Sequence, residues 1–185
     1  MTGLFGGAFD PPHNGHVALV QAAIDRFSLA RVLVLVVVDP GHRDVTLPFP
    51  ERFDLARLAF ETVPRTEVVP EEHAYTVDAL RNRPVEDGIF LIGADEFAGF
   101  LAWKDPNGVL AQVRLGVAAR PGVDPAAFDA VLAALERPER VEFFEIPAVP
   151  VSARDIRARL AQGEPVHDLV PQAVAHRIET AGLYA

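Results

Sequence analysis

Gly3-Leu4-Phe5-Gly6-Gly7-Ala8-Phe9-Asp10-Pro11-Pro12-His13-Asn14-Gly15-His16 is the stretch from which the rest of the chain is read. It opens with a short apolar run bounded by glycines, the pattern of a buried strand. Gly6 and Gly7 let the backbone approach another group with no Cβ in the way. Asp10-Pro11-Pro12 forces a turn, because each proline fixes its own φ and disfavours helix at the residue before it. Asn14 is then a good N-cap, and Val17, Val20, Ile24 and Phe27 fall on one face of the helix that follows. The order is strand, glycine turn, helix start, with His13 and His16 around the helix N-terminus. That end of a helix carries roughly half a positive charge and unpaired N–H groups, a natural seat for phosphate. Two imidazoles there can donate to a phosphoryl group as it gathers charge. Taken alone, the same H-x-x-H could be a solvated surface pair or two metal ligands, although no carboxylate is spaced beside it as in H-E-x-x-H.

Composition narrows the setting. A chain of 185 residues fits one domain, 1–185, and is long enough to bury a sizeable core. Half its residues are apolar, with charges interspersed, as in globular proteins. No apolar run approaches the roughly 20 residues that span a bilayer, and no secretory leader pattern is visible, so no membrane partner is expected. There is no cysteine, which excludes disulfide and thiolate chemistry and fits a cytoplasmic protein. A formal charge of −9 argues against a nucleic-acid polymer as partner. An acidic protein that handles anions must gather its arginines locally.

Further along, the β-branched run 31–38 reads as a strand covered on both faces, and Asp39-Pro40-Gly41-His42-Arg43-Asp44 as a loop at its carboxyl end, where open α/β sheets place ligands. Arg43 is therefore a candidate phosphate contact, or simply a residue of an exposed loop. A helix from Pro50 places Phe53, Leu55, Leu58 and Ala59 inward, with Arg52 and Arg57 outside. A short strand spans 67–69, and a helix capped by Thr76 follows Tyr75. The next buried strand, 88–92, ends in Gly93-Ala94-Asp95, where Asp95 either caps a short helix or accepts a ribose hydroxyl. Trp103, the one tryptophan, stands in a turn-rich segment where it can stack on a flat heterocycle or close the edge of the core. A helix over 109–113, a strand over 114–119 closed by Arg120-Pro121-Gly122, a helix over 125–135 and a strand over 141–146 follow. Ser152 with Asp155 three residues on has the form of a capping box, and Arg154 and Arg157 share a face of that helix. This is the local positive charge that the acidic total demands. A last helix, 171–181, stops at Gly182, and His73, His167 and His176 have no companions that suggest a role. Alternating strands and helices give an α/β, doubly wound parallel sheet with one crevice at its carboxyl ends.

With its fixed positions filled in a strand–turn–helix setting, Gly-Gly-x-Phe-Asp-Pro-x-His-x-Gly-His resembles the signature of the HxGH nucleotidyltransferase superfamily. The pieces that follow in order, Pro40-Gly41-His42-Arg43, Tyr75-Thr76-Val77-Asp78-Ala79-Leu80, Gly93-Ala94-Asp95, Trp103, Ala119-Arg120-Pro121-Gly122, residues 152–157 and Gly182-Leu183-Tyr184, resemble bacterial nicotinate-nucleotide adenylyltransferases. The resemblance implies a Rossmann-like nucleotidyltransferase fold and transfer of the adenylyl group of ATP to nicotinate mononucleotide in NAD biosynthesis, with Mg²⁺ carried by the nucleotide phosphates. It implies His13, His16 and Arg157 as catalytic residues, and Gly7, Phe9, His16, Gly93, Asp95, Ser152 and Arg157 as ATP contacts. It implies Arg43, Thr76, Trp103 and Arg120 as mononucleotide contacts, no metal ligands on the protein, and leaves a homo-oligomer open. The chain departs from the family pattern at Ala8, where threonine is usual, at Gly41, where proline is usual, and at Ala153-Arg154 in place of Ser-Thr. Ala8, Ala153 and Arg154 motivate one alternative, a nucleotide-binding protein without catalysis. A second keeps the reaction with nicotinamide mononucleotide as acceptor, since an amide wants an acceptor in the pocket where a carboxylate wants only donors. Phosphopantetheine as acceptor is disfavoured by the chain's length, Trp103 and Tyr75-Thr76.

Overall fold

A computed structural model describes residues 1–41 and 44–184. Six parallel strands form one sheet in the order β3-β2-β1-β4-β5-β6, namely β1 (Thr2–Gly7), β2 (Arg31–Val37), β3 (Thr66–Glu71), β4 (Gly88–Gly93), β5 (Arg114–Ala119) and β6 (Val141–Glu145). Side chains alternate across β1 because the strand period is two. Phe5 joins Val34, Val36 and Leu91 in one core, packed under helices α1 (Asn14–Phe27), α2 (Phe49–Phe60) and, near the end of the chain, α8 (Gln172–Ala181). Leu4 joins Leu33, Leu35, Phe90 and Ile92 on the other face, covered by α3 (Thr76–Asn82), α4 (Ala94–Ala98) and α5 (Pro106–Gln112). Burial on both faces explains the unbroken apolar run of β2: five of its seven residues are buried, each contributing about 1.5–3 kcal/mol.

The chain winds outward from β1 in both directions, so the order reverses between β1 and β4. A doubly wound sheet leaves a crevice outside the strand ends at such a point. The remaining helices, α6 (Asp129–Ala133) and α7 (Ala153–Leu160), follow β5 and β6. Among the described residues, no helix is long and apolar enough to cross a membrane.

Several local expectations are corrected. Asn14 is the first helical residue rather than the N-cap. His13 holds that position in extended backbone (φ −143, ψ 171), while the Asn14 amide donates to the Asp168 carbonyl at 3.0 Å. Thr76 likewise opens α3 behind Tyr75 and makes no side-chain cap. The helix expected over 125–135 is a 3₁₀ turn, Pro125–Phe128, followed by the short α6. Most consequential is Arg52, expected outside and found 1 % exposed. Its guanidinium donates to the carbonyls of Leu47 (3.0 Å), Ala8 (2.7 Å), Val37 (2.9 Å) and Val38 (2.8 Å), tying the loop after β1 to the end of β2. Helical periodicity counts arginine as polar and cannot foresee four carbonyls converging on one side chain.

Candidate active site

At the end of β1 the backbone turns sharply. Phe9 adopts the left-handed region (φ 53), which costs an L-residue about 1–2 kcal/mol. It is held there by edge-on packing against Phe5, Phe60 and the His16 ring, at 5.6, 6.0 and 5.2 Å between centroids. Gly7 allows this close return: a Cβ there would stand 3.1 Å from the Phe9 ring.

The two histidines form one unit. Their rings stack 3.6 Å apart, 15° from parallel. The His13 backbone N–H donates to His16 Nδ1 at 3.2 Å, which places the proton of neutral His16 on Nε2. Gly15 leaves room for the stack, since a Cβ there would meet His13 Nδ1 at 3.1 Å and Val151 at 3.3 Å. Burial lowers the pKa of His13 from 6.5 to about 4. It also holds His16 well below its ordinary value, with the His13 charge adding to the effect. The pair therefore stands neutral at pH 7 and offers N–H donors rather than fixed cations. His13 Nδ1 is buried with no hydrogen-bond partner among the described residues. That nitrogen faces the first turn of α1, in capping-box arrangement with the His16 backbone N–H, which leaves Nε2 as the nitrogen that can reach a ligand.

Helix α7 brings the arginine. Ser152 caps it by accepting from the Asp155 N–H (3.1 Å), and its own hydroxyl donates to the Asp155 carboxylate (2.7 Å). The expected Ser–Asp pairing thus exists, with the carboxylate bonded to the hydroxyl. From the same helix, Arg157 Nη1 donates to the Asp10 carbonyl at 2.6 Å, immediately beside the histidine loop.

The cleft has two lobes that share residues 6–8 and Glu96. One is lined by His13, His16, Asp95, Arg120, Ser152, Arg154 and Arg157. The other is lined by Thr76, Tyr75, Trp103, Lys104, Glu71 and His73. Gly7 and Phe9 both face the histidine lobe, as does Gly93 at the end of β4. Asp95 lies in the first turn of α4, its side chain 97 % exposed and 3.9 Å from Arg120. It does not cap the helix. Arg120 stands in the lobe of the histidines rather than beside Trp103. Trp103 packs edge-on against Phe90 and Phe100, at 6.4 and 5.2 Å, and lines the second lobe. Arg43 lies outside the described residues.

Sequence reasoning missed the parts played by five residues: Arg52, Asp10 with Tyr184, and the Glu71–His73 pair. Glu71, 4 % exposed at the end of β3, accepts from the His73 backbone N–H (2.9 Å) and lies 2.7 Å from its Nδ1. A glutamate at the carboxyl end of a parallel strand, two residues before a histidine, was the available signal. Among the described residues, no group of three or more His, Cys, Asp or Glu side chains could hold a metal ion.

A cytidylyltransferase-like family model matches residues 4–159. Over 199 residues the chain is 34 % identical to a probable nicotinate-nucleotide adenylyltransferase of Desulfitobacterium hafniense, covering 98 % of this chain and 94 % of the relative. It is also 34 % identical over 195 residues to one from Rubrobacter xylanophilus, covering 99 % and 91 %. The fold superposes on the Plasmodium falciparum nicotinic acid mononucleotide adenylyltransferase complexed with NaAD, with a TM-score of 0.81 at 15 % identity over 99 % of this chain and 96 % of that one.

Proposed function

Since the chain belongs to the cytidylyltransferase-like family and, within it, to the nicotinate-nucleotide adenylyltransferases, we propose that it transfers the adenylyl group of ATP to nicotinate mononucleotide, forming nicotinate adenine dinucleotide and pyrophosphate. The observation that carries this reading is the two-lobed cleft, with stacked imidazoles and Arg157 in one lobe, Trp103 in the other, and residues 6–8 between them. A triphosphate along the first lobe and a pyridine ring in the second would meet over that shared loop.

In the reaction, a phosphate oxygen of the mononucleotide bonds to the α-phosphorus of ATP while the bridging bond to the β-phosphate breaks. The electron pair leaves on pyrophosphate. No protein nucleophile is required, so catalysis lies in positioning and in stabilising charge on the phosphoryl oxygens. His13 and His16 donate to oxygens around the α-phosphate, and Arg157 with Ser152 holds the leaving phosphates. The backbone at Gly7 and Phe9 lies along the nucleotide, and Gly93 and Asp95 at the ribose. Ala153 and Arg154 replace two hydroxyls by one cation, which suits a pyrophosphate bound more through charge than through fixed hydrogen bonds. Thr76 and Trp103 frame the pyridine, and Arg120 serves the mononucleotide from the loop after β5; Arg43, outside the described residues, is assigned to the mononucleotide by the family resemblance alone. A divalent cation such as Mg²⁺, arriving on the triphosphate, would screen the phosphate charges.

A second reading keeps the reaction and takes nicotinamide mononucleotide as acceptor. It draws support from the Glu71–His73 pair on the wall of the ring lobe, since carboxylate acceptors suit an amide N–H and repel a second carboxylate. Pyrophosphate release from ATP, measured with each mononucleotide in turn, separates the readings. The first predicts faster release with the nicotinate form, and release with neither would refute both.

A further inference from the structure

The segment after α8 reaches into the loop that carries the histidines. Gly182 takes the left-handed conformation (φ 60), and the Leu183 N–H donates back to the Ile178 carbonyl at 3.0 Å. This reversal sends Tyr184 (φ 67) against the core under α1 and α2. Its hydroxyl donates to Asp10 Oδ1 at 2.7 Å. Helix α8 is itself fixed by buried Val174, Ala175 and Ile178, so the phenol is delivered from a rigid support.

Asp10 is a joint between four segments. Its carboxylate, 4 % exposed, also accepts from the Thr46 N–H (2.5 Å) and the Leu47 N–H (3.3 Å). Its backbone carbonyl accepts from Arg157, whose Nη1 stands 3.9 Å from Asp10 Oδ2. The guanidinium is therefore held by the carbonyl and kept short of a close ion pair with the carboxylate. The phenol, which burial and Asp10 keep protonated, supplies one of the donors that satisfy that carboxylate.

We propose that Tyr184 is a positioning residue for phosphoryl chemistry: by saturating the Asp10 carboxylate it keeps the Arg157 guanidinium available to the leaving phosphates. Without the phenol hydroxyl, the carboxylate draws Arg157 from 3.9 Å into a direct pair, and the cation turns from the cleft. The activity arm of the test rests on the adenylyl-transfer reading above.

Tyr184→Phe keeps the ring and its packing and removes only the hydroxyl. A hydrogen bond to a charged group corresponds to a factor of about ten or more. The expected result is kcat lower by about tenfold, KM for the mononucleotide within about twofold, and an unfolding midpoint within about 3 °C of wild type. In an Arg157→Ala background the same change is expected to cost less than about twofold, because the two residues act through one contact. An unchanged kcat, or an equal loss in that background, overturns the proposal. A second readout needs no turnover: the Arg157 Nε–H cross peak in ¹⁵N NMR is expected to shift in Tyr184→Phe, and an unmoved peak overturns the proposal. A wild type without turnover on either mononucleotide would contradict the adenylyl-transfer reading alone, and the cross peak would then decide the positioning role by itself.

Discussion

Acidification should destabilise this fold through its stacked imidazoles. His13 drops from 6.5 to about 4 on folding, and His16 lies well below 6.5, both chiefly by burial. A folded value below the unfolded one means that the unfolded chain takes up the proton first as pH falls. The stability held by neutral imidazoles is thus complete above about pH 6.5 and drains between there and about pH 4. For His13, 8 % exposed, the linkage relation gives a loss of about 2 kcal/mol between pH 7 and pH 5, and His16, lowered in the same direction by burial, adds to it. At about 2–4 °C per kcal/mol for a chain of this size, the His13 contribution alone should lower the unfolding midpoint by roughly 4–8 °C over that interval. The assay is urea or thermal unfolding at several pH values, wild type against His13→Gln/His16→Gln. Other groups titrate equally in both proteins, so the difference isolates the pair. Equal pH dependence in the two proteins would refute the neutrality of the imidazoles.

Arg52→Met removes a buried donor to four carbonyls and leaves their partners unmet; a loss of about 3–5 kcal/mol, near 10 °C in midpoint, is expected. Circular dichroism melting checks it, and a drop under about 3 °C would show that water replaces the guanidinium freely. Trp103→Leu should raise KM for the mononucleotide about tenfold, from a stacking contribution of about 1–3 kcal/mol, while leaving KM for ATP unchanged in steady-state kinetics. Matching effects on both substrates would remove Trp103 from the ring lobe.

What was legible in the sequence divides along physical lines. β-branched and apolar runs announce the four inner strands, which are covered on both faces, while the edge strands β3 and β6 are only partly buried and β3 runs past the expected 67–69 to Thr66–Glu71. The glycine turn and the histidines at the head of α1 also follow from local pattern, because the backbone conformations they need are encoded within a few residues. Helix boundaries held less well. The helix expected over 125–135 breaks at Phe128, where one 3₁₀ turn ends and α6 begins. The remaining site features are tertiary. Arg52 looks like a surface residue until four carbonyls from distant segments surround it. Asp10 looks like a turn former until Thr46, Leu47 and Tyr184 converge on its carboxylate. Glu71 and His73 acquire meaning only where β3 ends beside Thr76 and Trp103. The Arg52 and Asp10 networks do not follow from spacing, because each joins segments far apart in the chain; the Glu71–His73 pair is local, but its place on the cleft wall is set by the fold.

Pyrophosphate release from ATP in the presence of nicotinate mononucleotide, compared between wild type and His16→Ala, tests the central claim most directly. Release by the wild type and a loss of about 10²–10³ in rate for the variant, with its fold retained, is the predicted result. Near-normal release by a folded His16→Ala protein would contradict the claim that these imidazoles meet the charge that builds on the transferred phosphate.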